Sequence, residues 1–144
     1  MTGTRPSPTP RPRLALGLAL GGVVALGLAS RALPLFPAAL GAYPGDALWA
    51  VMVFVGLALL APGAAPLRLA AATLAVSFAV EALQLVRWAW LDALRSTTPG
   101  RLALGSGFDP VDLVAYAAGV ALALAADLAW QRRVASVARG PADP

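Results

Sequence analysis

Glu81 and Gln84 lie three residues apart near the end of an apolar segment, and on a helix that spacing puts a carboxylate and an amide on one face. Thr73 and Ser77 continue the face inward along the four-residue rows. A charged side chain in a membrane-spanning helix costs roughly 2.5–3.5 kcal/mol on insertion scales, so an acid retained there marks a functional site unless a structural partner accounts for it. The chemistry open to such a group is binding of a polar ligand, or general acid–base work on one.

Each polar residue also has an ordinary use. Asp109, Pro110 and Asp112 read as a helix start, with Asp at the N-cap, Pro at the first helical position and a second acid facing the positive end of the dipole. Asp46 suits an N-cap in the same way. Glu81 is different, because at the far end of its helix a carboxylate opposes the dipole; its simplest structural explanation is an ion pair with Arg87 or Arg95. Thr73 and Ser77 can bond back to their own helix. Trp49, Trp88, Trp90 and Trp130 suit an aromatic belt at the membrane surfaces.

The elements that must position these residues follow from apolar runs and their breakers. Leu14 to Ser30 is 17 residues without a charge, roughly 25 Å of helix, enough to cross most of a bilayer core of about 30 Å. A cleaved signal peptide is the rival interpretation of this first segment, although the run exceeds the usual apolar region of about 7–15 residues. Residues 31–45, with Pro34, Pro37 and Pro44, read as a loop or interfacial turn. A second span is expected over 46–61, a tight turn over 62–68, a third span over 69–88, a long connection over 89–109, and a fourth span over 110–130. Residues 1–13, where Pro alternates with Arg, and the basic residues 131–144 are expected to be disordered cytoplasmic tails flanking a four-helix domain over 14–130.

Composition supports lipid as the solvent for this domain. Of 144 residues 59% are hydrophobic and 12% charged, with a mean hydropathy of +0.74, a balance unsuited to a soluble domain that needs a charged surface. All 11 basic residues are Arg, and the formal charge is +4. Because these Arg fall beside and between apolar runs, they suit phospholipid headgroups, and no nucleic-acid partner is expected. With neither Cys nor His, disulfides, thiolate nucleophiles, ordinary zinc sites and a Ser-His-Asp triad are excluded. No metal or cofactor is expected.

Four spans place Arg5, Arg11, Arg13, Arg68, Arg132, Arg133 and Arg139 on one side and Arg31, Arg87, Arg95 and Arg101 on the other. The excess predicts cytoplasmic termini in the cell inner membrane. The second span then begins, the third ends and the fourth begins on the outer side. Asp46, Glu81, Gln84, Asp109 and Asp112 share that layer with Arg87, Arg95, Tyr43 and Tyr116, a polar cluster in which acids and Arg can neutralise each other. Small residues at four-residue steps, Gly17/Gly21/Ala25, Ala71/Ala75/Ala79 and Ala115/Gly119/Ala123, offer faces for close helix approach.

The segments Gly45-Asp46-Ala47-Leu48-Trp49, Ser77-Phe78-Ala79-Val80-Glu81 with Gln84, Leu94-Arg95, and Leu104-Gly105-Ser106-Gly107-Phe108 followed by Asp112 and Tyr116 resemble an uncharacterised family of small bacterial membrane proteins, domain of unknown function 2809. The order of Glu and Gln at one span end, Arg in the next loop and Asp opening the next span also resembles the VanZ-like family, associated with glycopeptide-antibiotic resistance, although Ala115 and Tyr116 follow Asp112 where that family usually has Asn. The resemblance implies a multi-span helical protein whose outer-face polar residues matter, and it implies no reaction.

The expectation is therefore an all-α integral membrane bundle of four helices. Its candidate polar site comprises Glu81, Gln84, Arg95, Asp112, Asp46, Arg87 and Tyr116, with no catalytic residue assigned. Its partners would be membrane lipids, a lipid-linked or cell-wall ligand, or further copies of the chain. Binding a lipid headgroup or envelope precursor ranks first. The alternatives are a membrane enzyme in which Glu81 or Asp112 is the general base, and a small transporter or assembly subunit.

Overall fold

The computed structural model describes residues 8–105 and 107–139. Ser106 of the Leu104–Phe108 segment, residues 1–7 of the expected N-terminal tail with Arg5, and residues 140–144 lie outside the described residues. Four long helices, α1 (Arg13–Ala32), α2 (Tyr43–Leu60), α3 (Pro66–Leu83) and α6 (Pro110–Ala138), are accompanied by two short ones, α4 (Ala89–Ser96) and α5 (Thr98–Leu104), and a 3-10 turn at Ala38–Leu40. The long helices have mean hydropathies of 1.5 to 1.8 over their best windows and are long and apolar enough to cross a membrane. Among the described residues every regular element is helical, and the protein is an all-α membrane bundle.

Prolines set most of the boundaries. Pro44, Pro66, Pro99 and Pro110 each stand in a first turn, where the missing N–H costs nothing. Pro34 and Pro62 follow the C-caps of α1 and α2, Leu33 and Ala61; both residues have left the helical region, which a following proline disfavours. The second span accordingly begins at Tyr43, and Pro44 opens it where the sequence suggested an interruption. Asp46 is then one turn inside α2, and the N-cap is Ala42 with no side-chain bond; the capping role considered for Asp46 is corrected. Asp109 does cap α6, accepting from the Val111 N–H at 2.9 Å. The third span stops at Leu83, short of Trp88, and the connection beyond it folds into α4 and α5. Thr97 caps α5 by accepting from the Gly100 N–H at 3.1 Å. At the other end α6 runs past Trp130 to Ala138, because no Gly or Pro interrupts that stretch before Gly140 and Arg is a good helix former.

The core lies between α2, α3 and α6, built from Ala50, Phe54, Ala58, Leu69, Ala70, Tyr116, Val120 and Ala123. α2 packs most extensively on α6, and α1 rests on α2 without burying any residue of its own. The small-residue expectation holds on α6, where Gly119 is buried and a Cβ there would overlap the Ala47 carbonyl of α2. It does not hold within this chain on the other two helices. Gly17 and Gly21 have open space at their Cβ positions, Ala71, Ala75 and Ala79 are exposed, and α3 turns its Thr73/Ser77/Glu81 face inward instead.

Candidate functional site

The α3 face that carries Thr73, Ser77 and Glu81 is fully buried, so each polar atom on it needs a partner. Thr73 Oγ1 donates to the Leu69 carbonyl at 2.8 Å and Ser77 Oγ to the Thr73 carbonyl at 2.9 Å. Both hydroxyls thus serve their own helix, as the bonding-back interpretation holds.

Glu81 is 1% exposed and joins the end of α3 to α6 through three hydrogen bonds. Its Oε1 accepts from the backbone N–H of Asp109 at 2.8 Å, and its Oε2 accepts from Gln84 Nε2 at 2.8 Å and, more loosely, from the Tyr116 hydroxyl at 3.4 Å. Among the described residues Glu81 takes part in no ion pair, so the expected partnership with Arg87 or Arg95 is corrected. The dipole cost of an acid at the α3 C-terminus is offset by the residue that opens α6, together with a neutral amide and a phenol. Hydrogen bonds to a charged group are each worth about 1.5–3 kcal/mol.

Both arginines are otherwise occupied. Arg95 donates to the Leu83 carbonyl at 2.6 Å, the Val86 carbonyl at 3.0 Å and Asp92 at 3.1 Å. Its guanidinium therefore holds the carbonyl at the end of α3, which also accepts from the Val86 N–H at 3.0 Å, together with the Val86 carbonyl beyond the helix, and so fixes the turn of the chain into α4. Arg87 is largely exposed and only 3.9 Å from Asp92.

Above Glu81 a cavity of about 570 Å³ opens among the end of α1, the start of α2, the end of α3, α5 and the start of α6. Of the residues that the topology set in one layer, Asp46, Gln84, Asp109, Asp112, Tyr116 and Tyr43 line it, and Glu81, Arg87 and Arg95 do not. Its basic walls are Arg31 and Arg101, which the sequence placed on the correct side without assigning them to the site. The signal available was that same side count. Trp49, read as part of an aromatic belt, also faces the cavity, and its ring lies 5.6 Å from that of Tyr116 at an interplanar angle of 50°, the tilted stacking that aromatic pairs prefer.

Gly105 holds the floor. Its φ of +70° suits glycine alone, and a Cβ there would meet the Gln84 amide at 2.5 Å. Gln84 is 6% exposed; its Nε2 is committed to Glu81, and among the described residues its Oε1 has no hydrogen-bond partner. The arrangement is a concave site with acids, guanidinium groups and aromatic faces, suited to holding a small charged group of mixed sign. Among the described residues no group of three acids is placed to hold a metal ion.

Two further charged residues, at the opposite end of the bundle, were missed. Arg11, assigned to the tail, is buried: it donates to both carboxylate oxygens of Asp127 at 2.5 and 2.6 Å and to the carbonyls of Pro62 and Ala64 at 2.8 and 3.0 Å. The signal was Asp127 itself, a lone acid inside an apolar span that needs a cation.

No solved structure matches this chain. A family model matches residues 35–120, a stretch that takes in α2 to α5, the first part of α6 and every named wall residue of the cavity except Arg31. It bears out the first of the two resemblances drawn from the sequence. The chain therefore belongs to the family described as protein of unknown function (DUF2809).

Proposed function

We propose that the protein binds a membrane phospholipid, or a lipid-linked envelope precursor, with the headgroup in the polar cavity. The observation that carries this is the neighbour of that cavity. An apolar groove of about 260 Å³ runs between α1, α2 and α5, lined by Val23, Val24, Gly27, Leu28, Leu48 and Met52 among others, and it shares Arg31, Trp49, Leu102 and Ala103 with the polar cavity. A polar chamber walled in common with an apolar groove matches an amphiphile whose charged end and hydrocarbon chain need adjacent solvents.

Gly27 offers a direct test, because its Cβ position is open space and a side chain there fills the groove without striking backbone. Phospholipid retained by the full-length protein in mild detergent, counted by native mass spectrometry, is expected to fall at least about fivefold in Gly27→Phe, a loss on the order of 1 kcal/mol. Retention equal to wild type would overturn the assignment.

The proposal includes orientation: both termini cytoplasmic, in the cell inner membrane, with the cavity at the outer surface. The Arg asymmetry between the two sides supports it. Alkaline phosphatase fused after Arg95 is expected to be active and fused after Pro66 inactive, and the opposite pattern would invert the topology.

A further inference from the structure

Resting on the lipid-binding assignment, we propose that the cavity selects a headgroup that carries a protonated primary amine beside its phosphate, with the amine against Asp46, Asp112 and Gln84 and the phosphate against Arg31 and Arg101. Three observations support the choice.

The first is uncompensated charge of both signs within one cavity. Asp109 spends an oxygen on the Val111 N–H, and Asp46 is only loosely paired, with Arg31 at 3.7 Å. Asp112 and Arg101, both cavity walls, take part in no ion pair among the described residues. An anionic headgroup alone would leave Asp112 unanswered, and a cationic one would leave Arg101. A zwitterion answers both.

The second is the Gln84 amide. Because Nε2 faces the Glu81 carboxylate at 2.8 Å, a flipped amide would set oxygen against oxygen, so the orientation is determined by chemistry. Oε1 is left as a buried acceptor without a donor among the described residues, an unfavourable state for a carbonyl oxygen. An ammonium brings three N–H donors. A quaternary amine brings none. The third is aromatic: Trp49 and Tyr116 both face the cavity, and their ring faces attract a cation.

The experiment is a titration of delipidated full-length protein in detergent with phosphatidylethanolamine, phosphatidylglycerol and phosphatidylcholine of identical chains. Phosphatidylethanolamine is expected to bind about tenfold tighter than phosphatidylglycerol and several-fold tighter than phosphatidylcholine. In Asp112→Asn the ethanolamine-to-glycerol ratio should fall to within about twofold of unity, whereas Arg101→Gln should weaken both lipids. Equal binding of the glycerol and ethanolamine lipids by wild type overturns this inference and leaves lipid binding standing. Binding of none of the three overturns this inference and phospholipid as the ligand of the cavity. The wild-type comparison decides the matter even where a variant folds poorly.

Discussion

Replacing Glu81 with leucine is expected to cost about 3–5 kcal/mol of stability, because the backbone N–H of Asp109 and the Gln84 amide each lose a charged acceptor while staying buried. The Tyr116 hydroxyl adds little at 3.4 Å. The loss is structural before it is functional, since this one carboxylate ties the end of α3 to the start of α6. Glu81→Gln should cost roughly half as much: the new carbonyl can still accept from Asp109, but the new amide nitrogen meets Gln84 Nε2, donor against donor. Unfolding of the purified protein in detergent micelles, followed by circular dichroism against temperature, reads the ranking of wild type, Gln and Leu. A leucine variant as stable as wild type would remove Glu81 from the framework and leave its burial unexplained.

A loss of similar size is expected at the opposite end of the bundle. Arg11→Ala strands Asp127, whose side chain is 9% exposed, and breaking a buried pair from one side typically costs about 3–5 kcal/mol. It also removes the side-chain bonds to the carbonyls of Pro62 and Ala64 in the α2–α3 turn, leaving there the backbone N–H of residue 11 on the Pro62 carbonyl at 3.1 Å. The double change Arg11→Met with Asp127→Leu should recover at least about half of that loss, because apolar packing can often replace a buried ion pair at little net cost. Melting of wild type and the two variants in one detergent checks both statements. An Arg11→Ala protein that melts with wild type would show that the pair contributes nothing beyond its own desolvation.

These two sites differ in how far the sequence foretold them. The spacing of Thr73, Ser77, Glu81 and Gln84 placed a polar face on α3, and the alternation of spans brought it to the same end as Asp46, Asp112 and Tyr116. Those are statements about period and length, which a helix in lipid obeys closely because every backbone group must be satisfied inside its own segment. Arg11 stood in a Pro-rich stretch whose composition resembles a solvated tail, and no local pattern relates it to an acid 116 residues away.

Hydropathy and the Asp-Pro helix start were therefore sufficient to establish four apolar helices, the first turns of α1 and α6 and the end of the bundle at which the polar residues gather. They act locally, over one helix turn or one span, and do not depend on what the neighbouring helices contribute. Partner choice was decided only by tertiary structure. A buried acid needs donors, and the sequence offers arginines for that role, yet the turn after Leu83 directs Arg95 onto the carbonyls of Leu83 and Val86, while the close approach of α2 and α6 at Gly119 brings the start of α6 within reach of Glu81. A guanidinium on a long flexible stem can satisfy a carboxylate or a helix end equally well, and which of the two it meets is determined by where the chain turns.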